Sequence, residues 1–267
     1  MCGIEFVVGG FFMVGIYLSG TGNTEHCVKM FVNNVCDDPK VIPVEHAESV
    51  EYLRNEKEIV LGYPTQFSNA PKMIRDFVED NRDLWKGKEV FIIVTMGAFS
   101  GDGSGCTARK IRKYGGIIKG ALQIKMPDSV CDSKLLKKSY KQNAEIEKRA
   151  DQKLQGAIAS IRSGIYPKEG LSGLSHIIGL FGQRLWYLNK YKNYSNELKI
   201  SDTCKACGLC VKECPMHNLI LKEGHLKPEQ LGRCTMCYRC ISSCPQKAIT
   251  LLGKEVIEQT RYEKFCG

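Results

Sequence analysis

Long apolar runs are the first thing this 267-residue chain lacks. Its most apolar stretch, residues 1 to 18, is broken by Glu5 and by glycines, has no basic start, and is too short to cross a bilayer. Neither a membrane span nor an export signal is expected, and the expected compartment is the cytoplasm. Histidine is scarce, at 5 residues, and none stands in a partner pattern with cysteine. No carboxylate dyad stands out either, so a dedicated acid–base reaction is not expected. The net charge of +9 comes from the second half of the chain, much of it on Lys134, Lys137, Lys138, Lys141, Lys148 and Arg149. No nucleic-acid-reading motif accompanies it. These residues read as a solvated helix face, or more sharply as a surface for redox partner proteins with acidic docking surfaces.

What the chain does have is cysteine, 14 in all. Eight form two copies of one pattern thirty residues apart: Cys204-x2-Cys207-x2-Cys210-x3-Cys214-Pro215 and Cys234-x2-Cys237-x2-Cys240-x3-Cys244-Pro245. Thiolates are soft ligands that suit iron–sulfur clusters, and in this spacing the fourth cysteine serves the cluster of the other copy. Cys204, Cys207, Cys210 and Cys244 are then assigned to one [4Fe–4S] cluster, and Cys234, Cys237, Cys240 and Cys214 to a second. Disulfides fit poorly between cysteines two or three residues apart, and zinc would leave the middle cysteine of each triplet idle. Small residues between the ligands (Ala206, Gly208) leave room for backbone N–H groups to reach sulfur. Leu219 and Ile249 match in strand-like ends, and Lys222-Glu223-Gly224 reads as a turn between short strands. The segment resembles a bacterial-type two-cluster ferredoxin. A module this small needs its clusters as staples.

Residues 13–163 alternate short apolar runs with amphipathic stretches. The runs Val14–Leu18, Val41–Val44, Ile59–Gly62, Val90–Thr95 and Gly116–Ile124 suit strands buried on both faces of a parallel sheet. Helices are expected near 23–35, 70–84, 105–114 and 133–162. The fold class is α/β, doubly wound, with function in the loops after the strands. The first such loop, Ser19-Gly20-Thr21-Gly22-Asn23-Thr24, has glycines that open backbone N–H groups, hydroxyl donors and a helix N-terminus, which suit a phosphate. It has no lysine and is not GxGxxG, which argues against a triphosphate loop and a dinucleotide loop. The later loops are Tyr63-Pro64-Thr65-Gln66-Phe67 and Thr95-Met96-Gly97-Ala98-Phe99; the second carries neither tryptophan nor tyrosine.

On Ser19, Thr21, Gly22 and Thr24 this part resembles the flavodoxin family. The resemblance implies FMN, with its phosphate on the first loop and its ring flanked by the later two, where Tyr63, Phe67 and Phe99 are candidates to stack. It also implies the strand order 2-1-3-4-5. Taken whole, the chain resembles the flavodoxin–ferredoxin fusion proteins of anaerobes: a flavodoxin-like domain at 13–163, a linker with an amphipathic helix at 164–197, and a small α+β two-cluster ferredoxin domain at 198–267. The helix carries Leu174, Ile177, Ile178, Phe181, Leu185 and Leu188 at helical spacing and is expected to pack between the domains. Residues 1–12 read as an extension, with Met13 an equivalent start. The six remaining cysteines lack ligand spacing; Cys106 lies near the flavin loops. The implied function is an electron relay between two [4Fe–4S] clusters and FMN. The rivals are a flavin-dependent reductase of a small acceptor and a redox sensor or scaffold.

Overall fold

The computed structural model describes residues 13–179, 196–253 and 255–265. Five strands, β1 (Met13–Tyr17), β2 (Lys40–Pro43), β3 (Glu58–Pro64), β4 (Glu89–Met96) and β5 (Ile117–Lys125), form one parallel sheet in the order β2-β1-β3-β4-β5. That is the order of flavodoxin-like sheets. Side chains alternate across it. Ile16, Leu61 and Ile92 join Ile74 of α3 (Lys72–Asp80) and Ile111 of α4 (Gly103–Lys113) in one core. Val60 and Ile93 join Phe31 and Val32 of α1 (Asn23–Val35) and Leu154 and Ile158 of α5 (Tyr140–Arg162) in the other. Two glycines bring α1 close. A Cβ on Gly15 or Gly62 would lie 2.6 Å or 2.2 Å from Val28 methyl groups.

The structure adds one helix to those expected and shortens another. An unanticipated helix, α2 (Glu48–Asn55), joins β2 to β3; it buries only Ser49 and Leu53, too little to leave a sequence stripe. The last long helix begins at Tyr140, not 133, because Ser139 and Gln142 close a capping box there. Lys134, Lys137 and Lys138 therefore precede the helix. Within residues 164–173, Pro167 O accepts from Ala121 N and Glu169 N donates to Ala121 O, covering the open edge of β5. Of the connecting helix only α6 (Gly173–Gly179) lies in the described residues; Phe181, Leu185 and Leu188 lie outside them, as do residues 1–12.

The ferredoxin-like module pairs β6 (Lys199–Ile200) with β9 (Ile249–Thr250), and β7 (Leu219–Ile220) with β8 (Glu229–Gln230), which flank the expected turn. Two short helices, α7 (Leu209–Glu213) and α8 (Arg239–Ser243), follow the cysteine loops. Positive φ recurs at the same places in both copies: Ala206 and Met236, Gly208 and Tyr238, His217 and Lys247. The sequence repeat is thus a backbone repeat.

Beyond this module, residues 255–265 return to the first domain. Tyr262 stacks on His26 of α1 with ring centroids 4.1 Å apart, and Tyr262 N donates to Thr21 O. His26 Nε2 in turn pairs with Asp151 of α5 at 2.6 Å. Beside them Glu147 is 4% exposed, and neither of its carboxylate oxygens has a partner among the described residues. Burial, then Asp151 and Glu263, push its carboxyl from 4.5 up to about 7. The folded chain therefore holds a proton that the unfolded chain releases, and stability falls as pH rises across that window. Glu147→Gln should raise the melting temperature above pH 7, with the gain fading towards pH 4.5; an equal gain at both ends would contradict this reading.

Candidate functional site

A cavity of about 320 Å³ lies beyond the carboxyl ends of β1, β3, β4 and β5, within the size range of small-ligand sites. Ser19, Gly20, Thr21, Asn23 and Thr24 line it. Gly22 stands behind them at φ 90°, and its N–H donates to Ser19 Oγ at 3.1 Å. A 2.8 Å hydrogen bond between the Thr24 and Thr95 hydroxyls ties the first loop to the end of β4. The loop opens α1, whose N-terminus favours an anion.

Pro64, Thr65, Gln66 and Phe67 line the second side, and Thr95, Met96, Gly97, Ala98 and Phe99 the third. Tyr63 does not. It is fully buried in the core, its hydroxyl donating to Gly103 O at 2.9 Å. The reason is strand length: β3 runs to Pro64, two residues past the expected end, so Tyr63 points into the core with Ile59 and Leu61 instead of entering the loop. Cys106 also stays out, within α4, its thiol donating to Gly103 O. The loop after β5 forms a further wall. Pro127, Asp128, Ser129 and Val130 line the cavity, placed by the rule that put function in the other loops. Burial raises the Asp128 carboxyl above the usual range, opposed by the Val130 N–H that it accepts.

Two buried acceptors in this cavity are left over. Asn23 gives its Nδ2 to Pro127 O, and Gln66 gives its Nε2 to the carbonyls of Thr235 and Met236. Asn23 Oδ1 and Gln66 Oε1 then have no partner among the described residues. Buried acceptors are normally satisfied. A ligand with several O–H and N–H donors, such as the ribityl chain and ring of FMN, fits that need.

The eight cysteines surround two further cavities. Cys204, Cys207, Cys210 and Cys244 line one; Cys214, Cys234, Cys237 and Cys240 line the other. Each thus joins three residues of one copy to the fourth of its twin, the sets assigned from spacing. Among the described residues no group of three or more His, Cys, Asp or Glu is arranged to hold a single metal ion. Backbone N–H groups reach sulfur at matching places: Ala206 to Cys204 and Met236 to Cys234 at 3.4 Å, Asn218 to Cys214 at 3.3 Å and Ala248 to Cys244 at 3.4 Å. Burial pushes the Cys210 and Cys234 thiols up to about 11, and those of Cys237 and Cys240 upward as well. Iron is the partner that would ionise them. The second cavity also abuts the larger one: Met236, Cys237 and Tyr238 line both.

Residues 203–249 match the family model of the 4Fe-4S dicluster domain. The chain fuses a flavodoxin-like domain to a 4Fe-4S dicluster domain. The dicluster match supports an electron-transfer role with iron–sulfur chemistry. Solved structures similar to its first half include the two-electron reduced flavodoxin of Megasphaera elsdenii, at 21% identity, 54% of this chain, 99% of that one and a TM-score of 0.41. A flavodoxin from the domain Archaea matches at 18% identity, with 54% and 96% coverage and a TM-score of 0.37. No curated protein matches the chain. No described helix is long and apolar enough to cross a membrane.

The dicluster domain is pinned onto the flavodoxin-like domain over its phosphate-type loop. The Arg239 guanidinium donates to Ser19 O at 2.7 Å and pairs with Glu45 at 2.6 Å. Gly20 meets the backbone of Cys237 so closely that a Cβ there would lie 1.8 Å from the carbonyl oxygen. Asp132, 4% exposed, accepts the N–H groups of Leu251, Leu252 and Gly253 and the Tyr238 hydroxyl, all within 3.0 Å. Removing that carboxylate strands four donors, at a cost on the order of 3 kcal/mol. Asp132→Ala should therefore lower the unfolding free energy from denaturant titration by that amount and expose residues 251–253 to hydrogen exchange. Gly20→Ala must displace the Cys237 loop; increased protease cleavage of the dicluster domain is the expected readout.

Proposed function

We propose that the protein is an electron carrier relaying single electrons between two [4Fe–4S] clusters and FMN, and onward to redox partner proteins. The observation carrying this reading is the shared wall: Met236, Cys237 and Tyr238 belong both to the FMN-sized cavity and to a cysteine-lined one. The clusters supply one-electron chemistry, and the flavin can hold one or two electrons.

The chain's own residues hold, insulate and space these groups. The two foursomes of cysteines would ligate the clusters, with the four N–H···S contacts and burial setting their potentials. Ser19 to Thr24 would hold the FMN phosphate at the α1 N-terminus, and Phe67 and Phe99 would border the ring. Asn23 Oδ1 and Gln66 Oε1 would accept its hydrogen bonds. Gln66, Arg239 and Asp132 fix the spacing between the two domains.

Protein purified without oxygen should carry about eight iron atoms, as two four-iron clusters require, and one FMN per chain. After partial reduction, the iron–sulfur and flavin absorbances should equilibrate at a first-order rate independent of protein concentration. A rate proportional to concentration, or a chain that never binds FMN, overturns the relay.

A further inference from the structure

The two cysteine sets share a backbone but not a setting. The second is walled off by the flavin-type cavity and pressed against Gly20. At the first, Cys207 is exposed, the one cysteine of the eight in that state. Where the second copy places Tyr238, the first has Gly208, and nothing lies within 4 Å of a Cβ built there. The first set is thus the outward end of the molecule.

Its rim is basic and partly apolar. Lys205 lines the cavity and is exposed; Lys247, also exposed, follows Gln246, another lining residue. Lys205 forms no ion pair with a described residue, and Asp202 nearby in sequence is taken by Lys227 at 2.9 Å; the carboxylate that Lys247 feels, Glu258, is held by Lys264 at 2.8 Å. Leu226, 86% exposed, lies two residues from Pro228 of the lining. Exposed lysines beside an exposed cluster ligand and an exposed leucine make a surface for a protein, and their sign selects an acidic one.

We propose that this rim, centred on Cys207, Lys205 and Lys247, is the docking port for a one-electron carrier protein with an acidic surface. One electron crosses per encounter, and no bond is made or broken. The port uses other lysines than the basic face of α5. It rests on the relay reading only in taking the first cysteine set to hold a cluster, since it needs no flavin.

The test uses the full chain with its cofactors and a ferredoxin of net negative charge as the probe. Two quantities are read at low salt: the bimolecular rate of electron transfer from the pre-reduced probe, and the Kd of the oxidised pair. K205E/K247E should lower the rate and raise the Kd at least tenfold, with the difference disappearing at high salt. K141E/K148E on α5, which changes net charge equally, should leave both within twofold. If the first pair loses iron, K205Q/K247Q takes its place, with threefold effects expected. Equal effects from the two pairs, or none from the rim pair, overturn the port while leaving the relay standing. A chain that binds iron but no FMN, yet shows the rim effect, overturns the relay and not the port.

Discussion

The arrangement depends on one close approach: the carbonyl of Cys237 against the bare Cα of Gly20. No side chain fits between them. This contact seats a cysteine loop directly over the phosphate-type loop, and Arg239 secures it through Ser19 O and Glu45. Without it the module would be a tethered neighbour, and the cofactor-sized cavity would lose the wall made by Met236, Cys237 and Tyr238. Glycine at position 20 therefore serves two ends, freeing backbone for an anion and admitting a second backbone from the other domain.

Local signals in the sequence carried most of the fold. Short apolar runs marked all five strands; the three central ones carry no charge within the run, because strands covered on both faces need no polar side, while the fifth run includes Lys119 at the sheet edge. The cysteine spacing assigned both foursomes that the structure gathers around separate cavities. Signals that depend on length or on distance were weaker. Tyr63 was misplaced by two residues of strand, and α2 hid behind a single buried leucine. Asp132 gave no sign at all. Its role as acceptor for Leu251, Leu252 and Gly253 joins positions more than a hundred residues apart, and an isolated aspartate in a loop carries no trace of that.

Tyr238 shows how the two copies diverged in use. Its φ of 62° is a conformation that glycine, the first copy's residue at the equivalent place, adopts freely. A bulky residue there is strained and persists only where its surroundings hold it. Here the Asp132 carboxylate and burial between two cavities do so. This added strain sits in the copy that faces the flavodoxin-like domain, and the copy that faces outward has glycine at the same place.

The returning tail makes the dicluster module an insertion in space, though it follows the first domain in sequence. Residues 255–265 complete a surface built from α1 and α5, with Tyr262 closing over His26. These residues follow the cysteine loops in sequence, so during synthesis the surface of α1 and α5 closes only after both loops have been made.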